Sequence, residues 1–194
     1  MGKTVGLMVI VGVAALWAAL PPGALAFEEE VILFRSVHDP AVEDPSIEWC
    51  RSVAPEGVPI HLLPDAAIVR LGASLWSLQS RASDGVVVKE KIRKIGLADA
   101  CGYLVEGIGP GKSGPFYMEG NVGGFEFVAA GECTFTASDI PVQGIVLTGC
   151  NLKVEPDPAQ GLLGGIATSN SVFNVGQVPG FQTGSFWTVH TYWE

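Results

Sequence analysis

The chain is short of positive charge. Its 194 residues include 11 Lys and Arg against 20 Asp and Glu, which gives a formal net charge of -9 at pH 7. Nucleic-acid binding depends on clustered basic side chains that neutralise phosphates. The one basic cluster is residues 89–94, where Lys89, Lys91 and Arg93 would share one solvent-facing side of an extended strand. The composition therefore argues against nucleic acid as a partner.

Motifs for metal, nucleotide or catalytic chemistry are missing as well. His38, His61 and His190 are far apart and show no metal-ligand spacing, so no metal site is expected. Residues 111–113 (Gly-Lys-Ser) resemble the end of a phosphate-binding loop, but its first glycine would be residue 106, which is Glu. Gly-x-Ser-x-Gly does not occur. The sequence predicts no cofactor and favours a protein that is not an enzyme.

Long apolar runs are lacking after residue 20. Residues 5–20 are uniformly apolar and follow Lys3, and residues 24–26 (Ala-Leu-Ala) have the small-x-small pattern of a cleavage site. This run of about 16 residues is shorter than the ~20 that a membrane-spanning helix needs, although an uncleaved anchor is the alternative. We predict a signal peptide over residues 1–26 and an exported chain, secreted or periplasmic, without a later membrane span. Loss of Lys3 would change the net charge from -9 to -10.

Cysteine is scarce, with four residues, all after residue 26. An even number in an exported chain favours two disulfides over a metal site. Cys133 and Cys150 flank the turn-rich residues 138–144, and folding the chain back near residue 141 places them opposite each other on a hairpin. The apolar alternation of both flanking runs puts these two side chains on the inner face. By elimination, Cys50 pairs with Cys101.

Glycine, in contrast, is abundant, with 25 residues, together with 13 prolines and many Val, Thr and aromatic residues. This composition favours short strands and tight turns, and no segment keeps a helical period over three turns. The strand-like runs are 31–37, 67–80, 86–92, 95–106, 116–122, 125–137, 144–154, 161–173 and 185–193.

We predict an all-β fold, an antiparallel meander of about eight strands closing into a barrel, with a two-sheet β-sandwich as the alternative. Residues 27–65 would form an irregular strand and a loop held by Cys50, and residues 66–194 the barrel-like core of the same domain. The strand count and meander order resemble those of lipocalin-like and allene-oxide-cyclase-like barrels, and the resemblance rests on these two features.

Asp99 is the most unusual residue of the predicted strands. It shares a face with Leu97, Cys101 and Tyr103, which is otherwise largely apolar. If that face is the interior, Asp99 is a buried carboxylate near Tyr103. Its pKa would be raised unless it is paired or hydrogen-bonded, and such groups often mark functional sites. The alternative is structural: Asp99 caps a turn, lies at a barrel mouth or pairs with a cation such as Arg70.

The last strand is aromatic on both faces. One face carries His190 and Tyr192, and the other carries Trp187 and Trp193. Trp187, His190 and Tyr192 are therefore candidates for contact with a ligand, with core packing as the alternative. Residues 164–171 bring small polar side chains together, which either offer hydroxyl groups to a ligand or belong to a β-bulge.

Three functions fit these features. The first is an exported, disulfide-stapled barrel module that binds a small apolar ligand or a surface partner. The second is a barrel enzyme of the cyclase or isomerase type, in which Asp99 and Tyr103 are the polar groups of a cavity. The third is a structural envelope or surface protein, with Trp187 and Trp193 as contact residues.

Overall fold

The computed structural model describes residues 27–80 and 87–194. The signal peptide predicted over residues 1–26 lies outside the described residues. The described chain consists mainly of strands, with one short helix and a 3-10 turn at Asp65–Ala67. The elements are β1 (Glu28–His38), α1 (Ile47–Ser52), β2 (Ile68–Ser80), β3 (Val87–Tyr103), β4 (Ser113–Val122), β5 (Phe125–Ser138), β6 (Ile145–Val154), β7 (Leu162–Asn174) and β8 (Gly184–Trp193).

The eight strands close into one antiparallel barrel in simple chain order. Each strand pairs with the next and β8 pairs with β1, so that Phe34 has Ser77 and Trp187 as cross-strand neighbours. The predicted barrel meander is confirmed, and the sandwich alternative is wrong because β8 joins β1 in one continuous sheet. One end of the barrel, here called the upper end, carries residues 39–67, 104–112, 139–144 and 175–183.

Strand β3 is longer than the sequence predicts. Its 17 residues, Val87–Tyr103, join most of the two predicted runs 86–92 and 95–106 in one strand. The pairing with β2 shifts register three times between Leu75 and Gln79, so the interruption is taken up by bulges and the chain does not turn. Gly96 allows the close approach of β4, since a Cβ there would lie 1.6 Å from the carbonyl oxygen of Asn121.

The barrel interior is filled by side chains from alternate strand positions. Phe34 stacks on Trp187, with ring centroids 6.4 Å apart, and its ring is tilted against Phe127 at 6.3 Å. Aromatic rings of this size bury more apolar area than other side chains and so dominate the hydrophobic stabilisation. Other large buried side chains of this core are Leu75, Phe116, Met118, Leu152, Val154, Leu162 and Val189.

A second hydrophobic cluster lies outside the barrel wall, between β2–β3 and the segment that follows β1. The Cys50–Cys101 disulfide is at its centre, and both cysteines are fully buried. The hydroxyl of Ser46 caps α1 by accepting a hydrogen bond from the backbone N–H of Trp49 at 3.1 Å. The sequence predicts a loop here, and the helix is missed because six residues are too few to show a helical period.

Both predicted disulfides are present. Cys133 and Cys150 are direct cross-strand partners on β5 and β6, with Cα atoms 4.0 Å apart. Both side chains pack against the barrel core, on the face that the alternation predicts. Two disulfides are typical of an oxidising, extracellular setting. Neither helical segment of the described ranges has the length and apolar character needed to cross a membrane.

The condition for a buried Asp99, that its face of β3 is the interior, is not met. The residues of β3 that point into the barrel are Ala98 and Ala100, which belong to its core, so Asp99 points outwards. Cys101 and Tyr103 share that outward face and are buried there by residues 47–63. The outer face of β3 is thus apolar because a segment outside the barrel covers it. The alanines on its inner face are small because aromatic rings already fill the interior.

Candidate functional site

A pocket opens into the barrel at its upper end. Its volume is about 100 Å³, and its lining is almost wholly apolar. Phe116, Val146 and Phe173 line it from inside the barrel, and Ile108 and Val175 lie exposed on the connections around it. We call this cavity the mouth pocket. Its walls come from six strands, which hold the lining side chains in fixed positions.

Thr148 is the polar exception in the mouth pocket. It lies on β6 between Val146 and Cys150, points inwards with them and is 5% exposed. Its Oγ1 has no hydrogen-bond partner among the described residues. Burying a hydroxyl without a partner costs about 1–3 kcal/mol. The hydrogen-bonding capacity of this hydroxyl is therefore unused in the described part of the chain.

Thr148 begins a row of hydroxyl side chains inside the barrel. Successive cross-strand partners on β6, β7, β8 and β1 are Thr148, Ser171, Ser185 and Ser36. The Ser185 hydroxyl donates to Ser171 Oγ at 2.7 Å, and Ser171 Oγ lies 3.1 Å from the hydroxyl of Ser169. Ser171, Ser185 and Ser36 thus each have a hydrogen-bond partner, which for Ser36 is the indole N–H of Trp187, whereas Thr148 has none among the described residues.

A smaller cavity of about 40 Å³ adjoins the mouth pocket, and Phe116 and Phe173 line both. Ser36, Ser171 and Ser185 contribute hydroxyls to this inner cavity. In the described ranges, no charged side chain lines either cavity. The upper half of the interior can therefore offer rings, methyl groups and hydroxyls to a ligand, but no charge.

The structure separates the three ligand candidates of the last strand. Trp187 points into the barrel, donates its Nε1–H to Ser36 Oγ at 3.1 Å and lines the inner cavity. His190 and Tyr192 lie on the outer face, where His190 Nδ1 is 3.2 Å from a carboxylate oxygen of Glu29. Because the wall of the barrel lies between them, these residues do not form one site.

Neither tryptophan named for a structural role is an exposed contact residue. Trp187 is 3% exposed. Trp193 packs against the core, with its ring 5.2 Å from that of Phe125. The exposed aromatic residue of β8 is Tyr192 instead.

Asp99 and Tyr103 do not share a cavity. Tyr103 is buried, and its hydroxyl donates a hydrogen bond to the carbonyl oxygen of Cys50. Burial, and secondarily Tyr117, raises the pKa of Tyr103 to about 12, so this phenol stays protonated at neutral pH. Tyr103 thus fastens the outer segment to β3, which is a structural role.

Asp99 lines a different depression, an acidic groove on the side of the barrel. The groove has a volume of about 650 Å³ and runs beside the β6–β7 connection. Glu119 is the direct cross-strand partner of Asp99. Burial, followed by the charges of Glu119 and Asp44, raises the pKa of the Asp99 carboxyl. The remaining carboxylates of the groove are those of Glu126, Glu155 and Asp157.

The acidic groove does not hold a metal-binding arrangement. Within the part of the chain that the structure describes, no group of three or more His, Cys, Asp or Glu side chains is placed to hold a metal ion. An aspartate with a raised pKa can exchange a proton nearer to neutral pH than usual. The cyclase-type hypothesis, with Asp99 and Tyr103 in one cavity, has no geometric basis.

Thr148 is the residue that sequence reasoning missed. The available signal was its position between Val146 and Cys150, two inward residues of one strand. In the segment 164–171 the structure shows the irregularity of the bulge alternative, a register shift between Leu162 and Gly164. Its Ser169 and Ser171 are buried and hydrogen-bonded to each other.

Comparison of the chain with protein-family models, with curated proteins and with solved structures finds no match.

Proposed function

We propose that this protein is an exported, disulfide-stapled barrel that binds a small apolar ligand in its mouth pocket. The observation that carries the proposal is the mouth pocket itself, an apolar cavity of about 100 Å³ that reaches from the upper end into the barrel. Pockets lined mainly by apolar groups, with a small number of polar groups, are typical of small-molecule sites. An apolar cavity of about 150 Å³ in another protein takes up benzene or xenon, so the expected ligand is of similar size.

Export is supported by the two disulfides and by the pattern of residues 1–26. Expression of the full chain in a secreting host, followed by mass spectrometry of the product, tests it. We expect a mature protein that begins at Phe27 and has no free thiol. An intact N-terminus on protein retained inside the cell would contradict export.

Ligand binding is tested by titrating the purified, disulfide-intact protein with cyclohexane and following the methyl resonances of Val69 and Val146 by NMR. We expect saturable shifts at these two pocket methyls. Ile108→Glu places a charge beside the pocket and should weaken binding several-fold. The matched control is Ile140→Glu, at the same end but outside the pocket; Ile108 and Ile140 are 56% and 54% exposed. Equal effects of both variants, or no saturable shift, would contradict the proposal.

A second candidate function is binding of a partner through the outer face of β7, β8 and β1. Val31, Leu33, Ile166 and Tyr192 lie exposed on these neighbouring strands. A groove of about 400 Å³ lies at the upper end of the same face, beside Phe186. Contiguous exposed apolar side chains of this kind are typical of interaction surfaces.

The partner that we propose for this face is a second copy of the chain. The molecule carries a net charge of -9, which repels like molecules, but this face holds the pair Glu29–His190 and the cation of Arg35 above the Phe186 ring. Sedimentation velocity should show a dimer that Leu33→Glu dissociates. Leu97→Glu, at a position on another face with the same 47% exposure, is the control. A monomeric wild-type protein would exclude this candidate.

A further inference from the structure

The mouth pocket has one feature that apolar binding leaves unused, the hydroxyl of Thr148. It is buried, lines the pocket and has no partner in the described part of the chain. A neighbouring hydroxyl with the same inward direction, that of Ser171, is fully engaged with Ser169 and Ser185. Thr148 is therefore the one inward hydroxyl of the row whose Oγ1 is left for a ligand atom.

We propose that the ligand is an uncharged, ring-sized molecule with one hydroxyl or carbonyl oxygen, and that Thr148 donates a hydrogen bond to that oxygen. This inference rests on the proposed function and specifies the chemistry of the same pocket. The mouth pocket supplies the apolar contacts, and the Thr148 hydroxyl supplies the single polar contact.

The absence of charge in the pocket selects the neutral form of such a ligand. Among the side chains that the structure describes, no Lys, Arg or His lines the mouth pocket or the inner cavity. A carboxylate brought into this apolar lining would lose its hydration without gaining a cation, which strongly disfavours binding. Alcohols and ketones lose much less, and Thr148 restores one hydrogen bond.

The inner cavity shows why Thr148, and not the serines, meets the ligand first. Thr148 lines the mouth pocket, whereas Ser36, Ser171 and Ser185 line the inner cavity, and the rings of Phe116 and Phe173 line both. A ligand entering from the upper end reaches Thr148 beside these rings, before it reaches the serines. The ring of the ligand then occupies the mouth pocket, with its oxygen directed towards β6.

The test uses four probes of similar size: cyclohexane, cyclohexanone, cyclohexanol and cyclohexanecarboxylate. Their dissociation constants are measured by NMR titration on purified, disulfide-intact wild-type protein, on Thr148→Val and on Thr148→Ser. Comparing variant with wild type for each probe cancels the differences in hydration between probes. Thr148→Val keeps the shape of the side chain, and Thr148→Ser keeps the hydroxyl.

We expect Thr148→Val to weaken the binding of cyclohexanone and cyclohexanol by about fivefold, because one neutral hydrogen bond is lost. The binding of cyclohexane should be unchanged or slightly tighter. Thr148→Ser should retain most of the affinity for the two oxygenated probes. Cyclohexanecarboxylate should bind at least tenfold more weakly than cyclohexanol.

Two different failures are distinguishable. If cyclohexane binds but Thr148→Val changes the affinities of all neutral probes equally, the role of Thr148 is overturned. If cyclohexanecarboxylate binds as tightly as cyclohexanol, the preference for a neutral ligand is overturned. In both cases the mouth pocket is still a binding site. If no probe binds wild-type protein, the proposed function itself is overturned.

Discussion

Thr148 and Ser171 lie directly opposite each other on β6 and β7, yet their hydroxyls have different surroundings. Ser171 Oγ receives a hydrogen bond from Ser185 and lies 3.1 Å from Ser169 Oγ, whereas Thr148 Oγ1 meets no partner in the described ranges. The two side chains are equally buried, at 5% exposure each. The pair therefore allows a direct comparison between a buried hydroxyl that is satisfied and one that is not.

Thr148→Val is expected to stabilise the ligand-free protein by about 1 kcal/mol, because it removes an unpaired buried hydroxyl and keeps the side-chain shape. Ser171→Ala is expected to destabilise it by about 1 kcal/mol or more, because Ser185 then loses its acceptor. Urea denaturation of the three proteins measures both changes. A loss of stability in Thr148→Val as large as that in Ser171→Ala would show that the Thr148 hydroxyl is satisfied.

Removing the two disulfides should have unequal effects. Cys50–Cys101 closes 51 residues and Cys133–Cys150 closes 17. In the chain-entropy account, losing the first bond costs about 4 kcal/mol and losing the second about 3 kcal/mol. The two double Cys→Ala variants, compared by denaturant unfolding, measure the difference. A larger loss for the Cys133–Cys150 variant would indicate that packing in the core outweighs chain entropy.

Asp99→Asn should stabilise the protein at neutral pH. Burial, then the charges of Glu119 and Asp44, raise the pKa of this carboxyl in the folded chain. The folded state therefore holds the proton more tightly, and stability falls as pH rises from the unfolded pKa of about 3.9 through the folded value. The amide removes this penalty, so the gain is largest at pH 7 and disappears below about pH 4. Denaturation at several pH values measures it.

Asp157→Asn is the control for Asp99→Asn, because the pKa of Asp157 is shifted in the opposite direction. The hydrogen bond from the Gln160 side chain, with smaller help from the backbone N–H groups of Ala159 and Gln160, lowers the pKa of Asp157. Its contribution to stability is present above the unfolded pKa and is lost as pH falls through the folded pKa. An effect of Asp99→Asn that is the same at pH 3 and pH 7 would contradict the raised pKa of Asp99.

Tyr103→Phe should destabilise the protein by about 1–2 kcal/mol, because it leaves the buried carbonyl oxygen of Cys50 without its donor. Thermal unfolding measures the loss, and Tyr192→Phe, at an exposed position, should change stability by less than about 0.5 kcal/mol. Since the folded pKa of Tyr103 is about 12, stability should also fall as pH rises above the unfolded value of about 10. Absorbance titration that shows ordinary ionisation of every tyrosine would contradict this.

The barrel and its two disulfides could be predicted from the sequence. Cys133 and Cys150 could be paired because both of their strands alternate clearly and a turn-rich stretch lies between them. The face that Asp99 takes could not be decided from the sequence, because β3 is apolar on one face and small on the other. Nothing along the strand shows that residues 47–63 cover its outer side.

The candidate site was harder to foresee. Alternation shows that Trp187 and His190 lie on opposite faces, but it does not say which face is inside. Whether Thr148 has a partner depends on side-chain directions across β6 and β7, which no pattern along the chain records. In the sequence, the threonine between Val146 and Cys150 has no distinguishing feature, because its hydrogen-bond partners can be judged only once the neighbouring strand is known.

The pairing of β8 with β1 has a consequence for the order of assembly. The first strand of the barrel has one of its two neighbours at the far end of the sequence, so the sheet stays open until β8 arrives. Until that moment β1 and β7 both expose unpaired backbone groups, which is the state of a sheet that is most prone to join another chain. During synthesis, the period of greatest aggregation risk therefore lasts until the ten-residue strand β8, Gly184–Trp193, has emerged.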